Sequence, residues 1–334
     1  MEYACSSNYA GINIPKQNCV SFSCIGSTVC IMDWLTGVVF NRNCIRSIAI
    51  RPDGKYKAIC KDKSFVVVGD THYPILEMCL NINGECNSVA FSDNNKLAAT
   101  NVNAKIMILE MENKKFHEIK GHIDNVKSVV FSHGSDWIAS GCEDNMVCTW
   151  DLATCQNILS LSDHTRSAIC VAVSPDNNII ASGSKHNGDG IIRLWDVRSG
   201  KQTQTIDVHD SEVESVSFNR DGKYLASGSS DESICIWDFA ANKPALRRYA
   251  HDRTVTSVAF STNSDLLLAG SNDMFMTLHE LYTDKYLTLK RNEMIQSVAF
   301  DPVDDMRVYY GGSKGFLTPI EYTVPAPKHH ISYV

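Results

Sequence analysis

The sequence predicts an all-β propeller built from four-stranded antiparallel blades, and three observations carry that prediction. A short β-type segment recurs about every 41 residues along nearly the whole chain. Each copy is followed by a polar turn and then by further β-type segments. β-Branched residues, with Gly, Asp and Asn turns roughly every 8–12 residues, disfavour a helical repeat.

The recurring segment is Ser88-Val89-Ala90-Phe91, repeated as Ser128-Val129-Val130-Phe131, Ser215-Val216-Ser217-Phe218, Ser257-Val258-Ala259-Phe260 and Ser297-Val298-Ala299-Phe300. Weaker copies are Ser47-Ile48-Ala49-Ile50 and Cys170-Val171-Ala172-Val173. The anchors Ile48, Val89, Val129, Val171, Val216, Val258 and Val298 lie 41, 40, 42, 45, 42 and 40 residues apart. A degenerate eighth copy opens the chain: a shift of 77 residues lays Ile12-Asn13-Ile14 on Val89-Ala90-Phe91 and Val20 on Leu97. The expected architecture is one domain over residues 1–334 with eight blades, seven being the alternative, and a short tail at 323–334.

Within a unit, the anchor strand runs into a turn such as Arg220-Asp221-Gly222-Lys223, whose residues favour tight reversals. A second strand follows, as in Tyr224-Leu225-Ala226-Ser227-Gly228, and a third, as in Ile234-Cys235-Ile236-Trp237-Asp238. The fourth is more variable, as in Gln202-Thr203-Gln204-Thr205-Ile206. Closing the ring by pairing the chain ends within one blade removes exposed strand edges. Residues 2–6 and 329–333 are both candidates for the last strand, and the sequence does not choose between them.

Trp150-Asp151, Trp195-Asp196 and Trp237-Asp238 end their third strands, and Gly121-His122 opens another unit. In these features the chain resembles the WD40-repeat family over nearly its whole length. The middle repeats match well, whereas Met32, Val68, Leu109 and Ile320 stand where the family has tryptophan. The resemblance implies buried hydrogen-bond networks at His122, Ser140, Asp144 and Trp150, at His164, Ser182, Asp189 and Trp195, and at His209, Ser227, Asp231 and Trp237. Ser, His and Asp also make up a hydrolase triad. Three copies around a ring disfavour that reading, since catalysis needs one exposed nucleophile, whereas buried polar groups need partners. The unit at Val258 has His251 and Asp273 but Ala269 and His279, so its network is expected to be incomplete.

The chain's 334 residues carry 31 Lys and Arg against 38 Asp and Glu, a formal net charge of −7. A mildly acidic chain without a basic block is a poor candidate for general nucleic-acid or anionic-membrane binding. Thirteen cysteines without one C-x-x-C pair disfavour a zinc ribbon or redox dithiol and lead to the expectation of reduced thiols. Cys30, Cys148 and Cys235 fall within third strands, where a small apolar residue packs. No apolar run approaches a membrane span, and no glycine-rich loop both follows a strand and opens a helix. No cofactor, metal or small-molecule substrate is expected, nor an enzyme; His329-His330 reads as solvated tail.

Function is therefore sought in the loops. The resemblance places the loops between fourth and first strands on one face with those between second and third strands, and implies that protein partners bind there. Lys127, Arg166, Glu212 and Arg253 would lie on the first kind of loop. The second kind contains one insertion, Lys185-His186-Asn187: the interval from Ser182 to Asp189 is three residues longer than that from Ser227 to Asp231. The expected function is a non-enzymatic scaffold, a subunit of an intracellular multiprotein complex in the cytoplasm, with the nucleus as alternative. A second reading comes from Trp195-Asp196-Val197-Arg198, which is similar to the box through which some propellers, as substrate receptors of cullin-4 ubiquitin ligases, dock on the adaptor by its arginine.

Overall fold

The computed structural model describes residues 31–32, 39–40, 44–61, 65–70, 76–81, 85–101, 103–184, 190–283, 285–314 and 317–321, and every regular element in them is a strand. Strands β1 (Ile31–Met32) and β2 (Val39–Phe40) pair only with each other. The first blade is β3 (Ile45–Ile50), β4 (Tyr56–Lys61), β5 (Phe65–Asp70) and β6 (Leu76–Asn81). The second is β7 (Cys86–Phe91), β8 (Lys96–Asn101), β9 (Lys105–Glu110) and β10 (Lys115–Lys120). The third is β11 (Val126–Phe131), β12 (Trp137–Cys142), β13 (Val147–Asp151) and β14 (Asn157–Leu161). The fourth is β15 (Ala168–Val173), β16 (Ile179–Ser184), β17 (Gly190–Asp196) and β18 (Lys201–His209). The fifth is β19 (Val213–Phe218), β20 (Tyr224–Ser229), β21 (Ser233–Asp238) and β22 (Lys243–Tyr249). The sixth is β23 (Val255–Phe260), β24 (Leu266–Ser271), β25 (Phe275–Glu280) and β26 (Tyr286–Lys290). A last sheet of three strands contains β27 (Ile295–Phe300), β28 (Arg307–Gly312) and β29 (Leu317–Glu321).

The expected blade count is corrected. The described residues form six four-stranded blades, neither eight nor seven, and the three-stranded sheet stands between the sixth blade and the first. An eighth blade would have to separate β27 from β3, and those strands pack directly on each other. Of the unit anchored near Ile12, only the short β1–β2 pair is described. Both candidate closing segments, 2–6 and 329–333, and the tail at 323–334 lie outside the described residues.

The repeated serine explains itself in the ring. Ser47, Ser88, Ser128, Ser215, Ser257 and Ser297 each accept, through Oγ, the backbone N–H of the anchor residue in the next sheet, at 3.1–3.3 Å. The last of these, from Ile48 N–H to Ser297, joins residues 249 apart and closes the circle. Cys170 replaces serine at the remaining joint, and its thiol instead donates to the Val213 carbonyl at 3.3 Å. A bulge just ahead of this position in every first strand, such as between Val126 and Ser128, turns the intervening side chain away from the ladder.

Second strands lie between two blades and are buried along almost their whole length. Glycine recurs there because the next sheet leaves no volume for a side chain. A Cβ on Gly183, Gly228, Gly270 or Gly311 would come within 2.4–2.7 Å of side-chain atoms of the neighbouring sheet, among them Val213, Val255, Ile295 and Ile45. In the first blade Cys60 takes the glycine's place, and Cys86 takes that of the opposing β-branched residue. Their Cα atoms are 5.5 Å apart and their sulfurs are bonded. This corrects the expectation that the thiols are all reduced; Cys44, Cys142, Cys148, Cys155, Cys170 and Cys235 are free thiols.

Gly228→Ala is expected to lower stability by about 1–3 kcal/mol through overpacking against Val255. An unchanged urea midpoint would show that the joint between blades yields more readily than its geometry indicates.

Candidate functional site

In the third blade, His122 Nδ1 lies 2.7 Å from Asp144 Oδ2 and Nε2 lies 2.8 Å from Ser140 Oγ. Trp150 Nε1–H donates to the same hydroxyl at 2.7 Å. Asp144 only accepts, so it holds the imidazole hydrogen on Nδ1 and leaves Nε2 to accept from Ser140. Burial alone would raise the Asp144 carboxyl. His122 and the Ile123 amide more than offset it and hold the group below its ordinary range.

The other blades vary this theme. In the fourth, His164 Nε2 and Trp195 Nε1 meet Ser182 Oγ at 2.6 and 2.8 Å. Asp189 lies outside the described residues, and the buried Arg193 points Nη1 at His164 Nδ1 from 3.3 Å. A guanidinium only donates, so here Nδ1 accepts and the imidazole hydrogen sits on Nε2, the reverse of the third blade. In the fifth blade, His209 reaches Ser227 at 2.7 Å, Asp231 at 3.1 Å and Ser233 at 3.0 Å. Trp237 does not join: its buried Nε1–H has no partner, and the ring packs instead in an apolar cluster with Phe218 and Phe239.

The sixth blade rebuilds part of its network by another route and leaves part of it incomplete, as expected. Ala269 faces Thr277 across β24 and β25. The Thr277 hydroxyl stands in for the missing serine, 3.0 Å from His251 Nε2 and 2.9 Å from His279 Nε2. Asp273 holds His251 Nδ1 at 2.8 Å. His279 occupies the tryptophan position, with Nδ1 left unpartnered.

His122, Cys142 and Asp144 also bring three metal-type donors within 4.8 Å. Their bonds explain them without an ion. Cys142 donates to the Asp124 carbonyl and accepts from the Asp144 amide. Ser229 and Ser271 make the same two bonds in the fifth and sixth blades. Burial pushes the Cys142 thiol well above its ordinary range, so it is no ready thiolate ligand.

Strand directions put the β10–β11, β14–β15, β18–β19 and β22–β23 loops on one face with the turns that follow β12, β16, β20 and β24. Lys127 sits there at the bulge of β11, half-buried, its ammonium 3.0 Å from Glu143. Arg166 and Arg253 are exposed, and Glu212 is half-buried with its carbonyl accepting the Ser230 N–H. Lys185, His186 and Asn187 lie outside the described residues. Arg198 is exposed on the opposite face, in the β17–β18 turn, which Asp196 caps by accepting the Ser199 N–H at 2.7 Å.

Apolar residues on the loop face escaped the sequence reading. Ile123 is 89% exposed and Tyr249 64%, and Met274 and Met294 are also exposed. One signal was available: Ile123 follows His122 where Asp210 and Asp252 follow the equivalent histidines.

The family model for the WD domain, G-beta repeat, matches four stretches, 113–151, 155–196, 200–238 and 243–279. The chain belongs to the WD40-repeat family. Each matched unit spans the outer strand of one blade and the three inner strands of the next, so a sequence repeat is not a blade. WD repeat-containing protein 90 of Xenopus tropicalis is 26% identical over 167 residues, 47% of this chain and 9% of that protein. Eukaryotic translation initiation factor 3 subunit I of Aspergillus fumigatus is 31% identical over 107 residues, 32% of this chain and 30% of that one. THO complex subunit 3 of Arabidopsis thaliana is 30% identical over 122 residues, 35% and 38% of the two chains. The matches thus span well under two thirds of these relatives' lengths.

Removing one member of a buried network leaves its partners unsatisfied. Asp231→Ala is expected to lower stability by roughly 1–3 kcal/mol, and an unchanged melting midpoint would count against a structural network at His209.

Acid should act through the histidines. Burial, then the charge of Arg193, pushes His164 down to about 3; burial, then Arg248, pushes His279 down to about 4. Both titrate near 6.5 when unfolded, so the unfolded chain binds protons first as pH falls. Their contribution is full above pH 6.5 and is lost progressively from there down to their folded values. His279→Trp, the residue at this register in the third and fourth blades, removes one titrating group. Unfolding free energies from urea titrations between pH 7 and pH 4 should then fall less steeply, by up to about 1.4 kcal/mol per pH unit.

Proposed function

We propose that this protein is a non-enzymatic scaffold, a subunit of an intracellular multiprotein complex that docks other proteins through the loop face of a single propeller domain. The observation that carries this reading is the contrast between interior and face. The triad-like hydroxyls of Ser140, Ser182 and Ser227 are 0–1% exposed and committed to buried networks, so no substrate reaches them. The face instead presents large apolar side chains, Ile123, Tyr249, Met274 and Met294, beside the exposed Arg166 and Arg253. Exposed aromatic and methionine residues interleaved with arginine are the composition of protein-binding patches. The names of two relatives place those proteins in complexes, a translation initiation factor and the THO complex, which supports assembly as the role here.

Crosslinking mass spectrometry on the protein captured from its native lysate tests this, run beside an Arg166→Glu/Arg253→Glu variant. A stoichiometric partner should crosslink near Lys127 and be lost in the variant. Partners that persist in the variant would overturn the choice of face. Crosslinks clustered around Arg198 would favour the ligase-receptor reading instead.

A further inference from the structure

The seventh sheet departs from the network rule. Arg291 stands seven residues before its anchor Val298, where His122, His164, His209 and His251 stand before theirs. Tyr310 pairs with Val298 as Ser140 pairs with Val129, and Lys314 follows Tyr310 by four residues as Asp144 follows Ser140. Two cations therefore occupy the registers that a histidine and its aspartate hold in the third, fifth and sixth blades.

Neither cation forms an ion pair among the described residues. Arg291 donates through Nη1 to the Lys290 carbonyl at 3.3 Å, and its guanidinium carbon lies 5.4 Å from the centroid of the Tyr310 ring. Its Nε–H is buried without a partner, which is costly for a charged donor. Lys314 Nζ donates to the Asn292 carbonyl at 2.6 Å. The loop's one carboxylate, Glu293, is buried, and its Oε2 accepts the Lys314 N–H at 2.7 Å. Two exposed methionines stand beside these cations. The Met274 carbonyl accepts the Arg291 N–H at 2.7 Å, and the Met294 carbonyl accepts the Ser313 N–H at 3.0 Å. Met274 is 43% exposed and Met294 39%. Those backbone bonds gather the turn after β24, the β26–β27 loop and the turn after β28 into one sector of the loop face.

We infer that this sector receives an acidic side chain of a partner protein together with an apolar neighbour: the carboxylate meets Arg291 and Lys314, and the apolar side chain lies on Met274 and Met294. The inference rests on the loop-face reading and narrows it to the junction of the sixth and seventh sheets. Charge complementarity selects the occupant, because the two cations have no carboxylate of their own. Guanidinium N–H groups match a carboxylate's two oxygens, so one side chain can supply the acceptor that Nε–H lacks. A phosphate would bring a second negative charge up to Glu293, which makes the singly charged carboxylate the better match. Methionine adapts its shape to whichever apolar side chain lies on it.

Random peptides displayed on phage and panned on the full chain test the sector. Enriched peptides should place Asp or Glu next to Leu, Ile, Met or Phe, and their synthetic copies should bind more weakly as salt rises. Arg291→Gln should weaken that binding roughly tenfold. The exposed change Lys314→Gln should weaken it about threefold. Both variants should keep the wild-type melting midpoint, and phosphoserine in place of the acidic residue should gain nothing. Enriched peptides without an acidic residue, full affinity in both variants, or tighter binding of the phosphopeptide would each overturn the assignment. Peptides lost in Arg166→Glu/Arg253→Glu but kept in Arg291→Gln would uphold the loop face and sink this sector. A library that yields no binder would also overturn the sector, while the lysate crosslinks judge the face separately.

Discussion

Everything else in this molecule depends on how one first strand seats against the sheet before it. The contact has two parts, a serine hydroxyl accepting the next anchor's N–H and a second-strand glycine receiving a β-branched side chain. Neither part is strong. A single hydrogen bond contributes only about 0.5–1.5 kcal/mol net. The joint repeats around a closed ring, however, and the bond from Ile48 to Ser297 ties residues 249 apart. Closure leaves each second strand covered on both sides, which is why Ala, Ser and Gly dominate there and why the burial of these strands does not alternate.

Two joints depart from the rule, and each departure is chemically coherent. Cys170 replaces the serine and reaches a carbonyl instead of accepting an amide. Cys60 and Cys86 replace glycine and its β-branched partner together, so two substitutions that would clash or leave a void become one covalent bond. A disulfide at a packing joint holds two neighbouring sheets where the first blade otherwise lacks the close glycine contact.

Much of this was legible in the sequence. The recurrence of Ser-Val-x-Phe located the first strands, and Trp-Asp marked third-strand ends. The meaning of the serine was not legible, because its partner lies one unit away and only the packing of adjacent sheets brings them together. The blade count failed for the same reason: anchors count sequence units, and the contact between β27 and β3 decides how many fit. The paired cysteines were visible as residues, but a separation of 26 reads as two isolated thiols until the register of adjacent sheets is known. The networks misled in both directions. Trp237 has the family residue and makes no bond, while Thr277 supplies a hydroxyl from the strand facing the one where a serine was sought. Hydrogen bonding depends on where an oxygen stands, and adjacent antiparallel strands can place it from either side.

This tolerance bears on function. The inner three strands are constrained from both faces, so variation there appears only as exchange of one satisfied network for another. The fourth strands face a neighbour on one edge only, and the loops face none. Change can therefore accumulate on the outer strands without cost to closure. An arginine at the inward register of β22 is unfavourable as packing, since its neighbours gain from burying Ile119, Leu161 and Ile206 at the same level. Arg248 instead lies over the Tyr286 ring of the sixth blade, 4.8 Å from its centroid. The outer strand thus keeps a contact to the next blade through a cation over an aromatic ring where its neighbours use buried aliphatic side chains.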